Sequence, residues 1–160
     1  MQNLIPIAAK IGAMLKDRRE TVAIAESSTG GLISAALLSV PGASAYFIGG
    51  SVVYTLKARR AMLDVPDAAF ANIKSVTEDG ARILARAARE RFAVTWSVSE
   101  IGASGPTGNR YGDPAGHSCI AIAGPTERSM TVETHSADRI ANMRAFAAAA
   151  FNILLQALEA

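Results

Sequence analysis

Apolar residues recur at helical spacing through Leu4, Ile7, Ala8, Ile11, Met14 and Leu15, while Lys10, Asp17, Arg18 and Arg19 fall off that stripe. This predicts an amphipathic opening helix. The β-branched and apolar run TVAIAE then reads as a buried strand ending near Glu26, and SSTGG punctuates it. LISAALLSV follows as a helix stopped by Pro41-Gly42. Tyr46 to Tyr54 predicts a second strand with a weak point at Gly49-Gly50, and Lys57 to Leu63 a short helix. Thr77 is a good N-cap for a longer helix reaching about Arg91. Phe92 to Ala103 reads as a third strand, with Trp96 inside it as a core residue, and GASGPTGNRYGDPAG as the loop after it. HSCIAIAG and SMTVETH predict two more strands around a turn at Pro125-Thr126-Glu127, and a last helix starts near Ala137.

Strands alternating with helices imply a sheet covered on both faces, and the closing hairpin implies that the sheet is mixed. The predicted fold class is therefore α/β, a three-layer α/β/α sandwich with a mixed sheet. At 160 residues the chain has the size of one domain, taken as residues 1–160. Half of the residues are hydrophobic and 19% are charged, a composition that excludes intrinsic disorder. The net charge is +2 with no basic run, so no nucleic-acid partner is expected. The lone Cys119 forms neither an internal disulfide nor a cysteine-cluster metal site, and points to a reducing, cytoplasmic setting.

Membrane insertion is not expected either. Ser27 to Leu56 carries no charge, but Ser, Thr, Pro and Gly interrupt it throughout. The apolar run Ala145 to Leu158 is only 14 residues, short of the roughly 20 that a spanning helix needs. Alanine makes up a fifth of the chain and concentrates in the helices, which leaves a homo-oligomer open.

Candidate chemistry lies where strands end. Ser27-Ser28-Thr29-Gly30-Gly31 falls between a strand end and a helix start, where open backbone N–H groups and the helix dipole favour an anion; the alternative is an ordinary N-cap with a tight turn. The segment fits neither the Walker pattern nor the dinucleotide fingerprint. Further candidates are Ser44 after Pro41-Gly42, then Tyr54, Lys57 and Arg59, and the loop Gly105-Pro106-Thr107-Gly108 at a strand end. Arg139 and Arg144 sit on the final helix, five residues and roughly 140° apart. His117 and His135, on separate predicted strands, have no ligand pattern around them, so no metal is expected. No serine lies in a Gly-x-Ser-x-Gly elbow.

Six short motifs, in order, resemble the C-terminal domain family of CinA, whose active members are nicotinamide-nucleotide amidohydrolases of the PncC type. Ala25 to Gly31 stands where the family commonly reads AESCTGG, and Pro41 to Phe47 where it reads close to xGSSAxF. Gly49 to Tyr54 matches GGxVTY, Gly105 to Gly108 matches the start of GPxGG, Pro114 to Gly116 stands for PVG, and Ser136 to Arg139 for SGDR. The resemblance implies a three-layer α/β/α domain that hydrolyses the carboxamide of nicotinamide mononucleotide to nicotinic acid mononucleotide and ammonia, with no cofactor. It also implies that Ser44 is the nucleophile, that Tyr54 and the residue five positions later assist, and that Ser27 to Gly31, Gly105, Pro106, Thr107, Arg139 and Arg144 hold the small nucleotide substrate. At that later position the family's lysine is replaced by Arg59, which leaves Lys57 as the neighbouring amine. Arginine stays protonated and cannot serve as general base. The alternative reading is a nucleotide-binding paralogue with weak or no amidase activity.

Overall fold

The computed structural model describes residues 1–160 and has ten principal elements. In chain order they are α1 (Ile5–Arg18), β1 (Val22–Glu26), α2 (Leu32–Leu38), β2 (Phe47–Val52), α3 (Leu56–Leu63), α4 (Glu78–Phe92), β3 (Trp96–Ala103), β4 (His117–Ala123), β5 (Arg128–Glu133) and α5 (Arg139–Glu159). The strands form one sheet in the order β2-β1-β3-β4-β5. β1 is parallel to both of its neighbours, whereas β3, β4 and β5 run antiparallel in turn. The sheet is thus mixed, as the hairpin pattern predicted.

The strand alternation sorts side chains into two cores. Val22, Ile24, Trp96, Val98, Ile120 and Ile122 join α1, α2 and α5 in the larger cluster on one face. Ala25, Ile101, Cys119, Ala121 and Ala123 join α3 and α4 on the other. This second face is built from small residues, and α4 answers with Ala81, Ala85 and Ala88. Close approach follows: Ser97 Oγ donates to the Ala85 carbonyl at 2.5 Å and Ser99 Oγ to the Ala81 carbonyl at 2.6 Å. The two hydroxyls thereby keep their hydrogen bonds inside an otherwise apolar layer.

Local sequence sets the helix ends. Thr77 Oγ1 accepts from Gly80 N at 3.1 Å, and Asp138 Oδ1 accepts from Ala141 N at 3.0 Å, so α4 and α5 each begin on a side-chain cap. The third strand starts later than predicted, at Trp96. Phe92 is the last residue of α4, where its ring packs over Gly49, and Ala93 closes the helix with φ 51. His135 likewise lies beyond β5, with φ 56.

The Gly49-Gly50 pair marks a close approach on both faces of β2. A Cβ on Gly49 would sit 2.9 Å from the Phe92 ring, and one on Gly50 would sit 2.1 Å from Ser34 Oγ. Helix α5 is long and apolar enough to cross a bilayer by length and composition. Here it packs its Phe146, Phe151 and Leu154 into buried positions in the domain.

Candidate active site

β1 ends on Glu26, and the turn that follows folds around two buried carboxylates. Glu26 Oε2 accepts from Gly31 N (3.0 Å), Ile33 N (3.0 Å) and Thr29 Oγ1 (2.7 Å). Its Oε1 accepts from Ser34 N (2.8 Å) and Ser34 Oγ (2.6 Å). Glu100, mid-strand in β3 and fully buried, takes the rest. Its Oε2 accepts from Ser27 N at 3.1 Å and Thr29 N at 2.9 Å; its Oε1 meets the hydroxyls of Ser28 and, at 3.0 Å, Ser118. Burial pushes the Glu100 carboxyl above its ordinary pKa, against the pull of these bonds. The backbone donors of Ser27, Thr29 and Gly31 therefore face the protein's own carboxylates. Gly30 N, which bonds the Ser27 carbonyl, is also engaged. The turn forms a wall whose backbone donors at Ser27, Thr29, Gly30 and Gly31 are taken within the protein.

Beside that wall lies a hollow of about 460 Å³ at the carboxyl ends of β1, β2 and β3. Ser27 contributes from the turn, Tyr54, Lys57 and Arg59 from the end of β2 and α3, and Arg110 and Tyr111 from the loop after β3. Tyr54 and Tyr111 are exposed, and Arg110 lies over the Tyr111 ring at 5.0 Å. The loop tip is held by Asn109, whose Oδ1 accepts from Tyr111 N and Asp113 N and whose Nδ2 donates to Asp113 Oδ2. Lys74 Nζ pairs with Asp113 Oδ1 at 2.6 Å. Burial works against the Asp113 carboxylate, but Lys74, Asn109 and His117 outweigh it and hold its pKa below the usual value.

Arg59 differs from Lys57, its neighbour two positions back on α3. Lys57 is exposed; Arg59 is 6% exposed. Arg59 Nη1 donates to Ser75 Oγ at 2.8 Å, and the guanidinium stands over the Phe70 ring at 5.2 Å. Its Nε has no partner, although buried.

Other candidates lie apart. Ser44 is in the short turn before β2, whereas Ser27 follows β1. The two strands are parallel, with Val22 beside Phe47 and Glu26 beside Val52, so these serines fall at opposite ends of the sheet. The six residues of β2 put roughly 20 Å of strand between the Ser44 turn and the Tyr54 end. Within one chain Ser44 does not share a pocket with Ser27 to Gly31 or with Tyr54 and Arg59. Arg139 Nη1 donates to the Gly105 carbonyl at 2.5 Å, so it braces the loop in this structure. Asn142 adds bonds to the Ser104 and Ser136 carbonyls. Pro106 and Thr107 are exposed and lie outside the lining of the hollow, and Arg144 opens instead on a depression beside the N-terminal residues Met1 to Leu4.

The sequence reading missed Glu100, Arg110 and Tyr111. A lone charge in the otherwise apolar and small run WSVSEIGA was a usable signal for Glu100. Nothing in GNRYGD distinguishes Arg110 and Tyr111 from an ordinary polar loop. A second hollow of about 570 Å³ between α3 and α4 has no strand-end donors and lies on the outer side of α4. No group of three or more His, Cys, Asp or Glu side chains is arranged to hold a metal. Burial pushes the Cys119 thiol up to about 11, far from a ready nucleophile.

Residues 4–158 match the profile of the CinA C-terminal domain. A CinA-like protein of Anaeromyxobacter sp. is 38% identical over 153 residues, covering 96% of this chain and 37% of that protein. A CinA-like protein of Synechococcus sp. is 35% identical over 133 residues, covering 83% of this chain and 32% of that protein. The chain spans about a third of the length of these curated relatives. The crystal structure of the competence/damage inducible protein CihA from Agrobacterium tumefaciens is similar with a TM-score of 0.90 and 28% identity, covering 98% of this chain and 96% of that one. A CinA superfamily protein from Escherichia coli, 24% identical, shares the fold with a TM-score of 0.90 over 96% of this chain and 90% of that one. With the profile running nearly from end to end and the sheet shared, the chain belongs to the CinA C-terminal domain family.

Proposed function

We propose that this domain binds a nicotinamide mononucleotide-like ligand in the hollow at the carboxyl ends of β1 to β3 and hydrolyses its carboxamide to the acid and ammonia. The observation that supports this most is the meeting of three cationic side chains, Lys57, Arg59 and Arg110, with two exposed phenols, Tyr54 and Tyr111. A phosphate calls for the former and a flat pyridine ring for the latter. Pyridine-nucleotide salvage in the cytoplasm is the setting that such an activity implies.

Hydrolysis by a serine needs a hydroxyl oxygen to attack the carbonyl carbon while a base takes its proton. The carbon–nitrogen bond then breaks as the leaving nitrogen gains a proton, and water releases the acid from the ester. Ser27 is the serine that lines the hollow, and Tyr54 and Lys57 are the side chains beside it able to move a proton. Ser44 carries the nucleophile's role in the resemblance, and the distance along β2 sets it against Ser27 as a testable alternative. Ammonia release from nicotinamide mononucleotide by the native protein, Ser27→Ala and Ser44→Ala tests both. Loss in Ser27→Ala alone supports the site in the hollow. Loss in Ser44→Ala alone requires a second copy to bring that serine in, and no release from the native protein removes the hydrolase reading.

Arg59 favours a second reading, ligand binding without turnover, because a guanidinium cannot accept the proton. Arg59→Lys restores the residue type of the resembling family. General-base assistance is worth ~10²–10⁴-fold, so a rise in ammonia release separates an impaired hydrolase from a binding module.

A further inference from the structure

Arg59 is a buried cation without an anion. It is 6% exposed, its one hydrogen bond goes to the neutral Ser75 hydroxyl, its Nε is unpartnered, and no carboxylate forms an ion pair with it. Two acids of the neighbouring segments are already taken, Asp113 by Lys74 and Asp67 by Arg60 at 2.9 Å. Buried charges are ordinarily paired, since an uncompensated one costs far more than a surface charge. Moreover, the same hollow carries two further cations, Lys57 and Arg110. No Asp or Glu side chain lines that hollow.

From this geometry we infer that the Arg59 guanidinium anchors an oxyanion subsite in the hollow, one that takes the phosphate or the planar carboxylate of an aromatic ligand. The planar fork of arginine matches both groups and binds them through paired N–H donors. The Phe70 ring beneath it, at 5.2 Å, fixes the plane of the fork, and Ser75 holds one of its ends. Burial lowers the affinity of the guanidinium for its proton, with Tyr111 opposing and Arg110 adding to the effect. An incoming oxyanion relieves that cost, so binding and stability are coupled at one residue. The inference rests on the hollow being the ligand site, as in the proposed function, and not on turnover.

Thermal unfolding with added ligands tests it, using inorganic phosphate, nicotinate, nicotinic acid mononucleotide and, as the neutral counterpart, nicotinamide, each against chloride at equal ionic strength. The native Tm should rise with the oxyanions and not with nicotinamide. Nicotinate without phosphate effective would name the carboxylate as the occupant; phosphate alone would name the phosphate. Arg59→Met should have a higher Tm than the native protein without ligand, because the lone charge is gone, and should lose the ligand response. Arg59→Lys should keep the response with affinity weaker by roughly 10–100-fold. A native Tm indifferent to every oxyanion overturns the inference, as does an Arg59→Met variant that is less stable than native or still responds. Ammonia release measured on the same samples keeps the two readings apart. Its absence with the oxyanion response intact removes hydrolysis alone, and its presence without that response removes the subsite alone.

Discussion

Glu26 and Glu100 share a hydroxyl: Thr29 Oγ1 lies 2.7 Å from Glu26 Oε2 and 3.0 Å from Glu100 Oε2. The hydroxyl has one proton to give, so it bonds one carboxylate fully at a time. The remaining neighbours of the two acids differ in kind. Around Glu26 every other partner includes a backbone N–H or the Ser34 hydroxyl beside one. Around Glu100 the backbone donors meet only Oε2, and Oε1 faces the hydroxyls of Ser28 and Ser118, which can donate or accept.

That asymmetry predicts unequal outcomes for the same substitution. In Glu100→Gln the new amide nitrogen takes the Oε1 position and donates to two hydroxyls that rotate to accept, so stability should change by no more than about 1 kcal/mol. In Glu26→Gln the nitrogen faces a backbone N–H at either position, and the loss should be on the order of 2–3 kcal/mol. Urea midpoints of the two variants check this, and equal losses would refute the assignment of donors.

Gly50 has a structural task that alanine cannot fill. Its missing Cβ is the space occupied by Ser34 Oγ, which reaches Glu26 Oε1 at 2.6 Å. Gly50→Ala should push that hydroxyl off the carboxylate and cost about 1–3 kcal/mol. Gly112→Ala, where no atom lies within 4 Å but φ is 89, isolates backbone strain from crowding and serves as the comparison.

His117 should make stability fall on the alkaline side. Its Nδ1 meets Glu133 Oε1, its Nε2 the Val76 carbonyl at 3.2 Å, and Asp113 Oδ1 stands 3.7 Å away. Burial opposes the charged ring, but these partners outweigh it and raise the pKa. The folded chain thus holds the proton more tightly than the unfolded one. The contribution is complete below the unfolded value of about 6.5 and is lost as pH rises through the higher folded value. The urea midpoint of the native protein should decline across that window, and His117→Gln should flatten the decline.

Asn109 is a positioning residue for the hollow. Its three bonds shape the loop that presents Arg110 and Tyr111. Asn109→Ala should weaken phosphate or nucleotide binding several-fold by adding a loop-ordering cost, with kcat little changed in any turnover. A calorimetric affinity equal to that of the native protein would count against this role.

The order of elements was legible because each declares itself locally: stripes at helical spacing, short β-branched runs, Thr77 as a cap. The start of β3 was misread because Phe92 suits a strand as well as the last turn of α4, and its place over Gly49 is a tertiary fact. The turn after Glu26 is legible in the sequence, but its bonds to Glu100 are not, since Glu100 comes from a strand more than seventy residues on. The separation of Ser44 from Ser27 was within reach of the sequence. One precedes its strand and the other follows, so a parallel pairing alone puts them at opposite ends. Arg110 and Tyr111 reach the hollow only through the path of their loop, for which no local pattern speaks.

The two carboxylates under the Ser27 to Gly31 turn have a consequence for how such a domain diversifies. The turn closes on its own acids, so its geometry asks nothing of a ligand. The cationic side chains that line the hollow, Lys57, Arg59 and Arg110, come instead from a short helix and a loop outside that network. The bonds that hold the turn are thereby kept apart from the cations that line the hollow. An exchange such as lysine for arginine at position 59 can redirect the chemistry of the hollow while the carboxylate network of the turn keeps its own bonds.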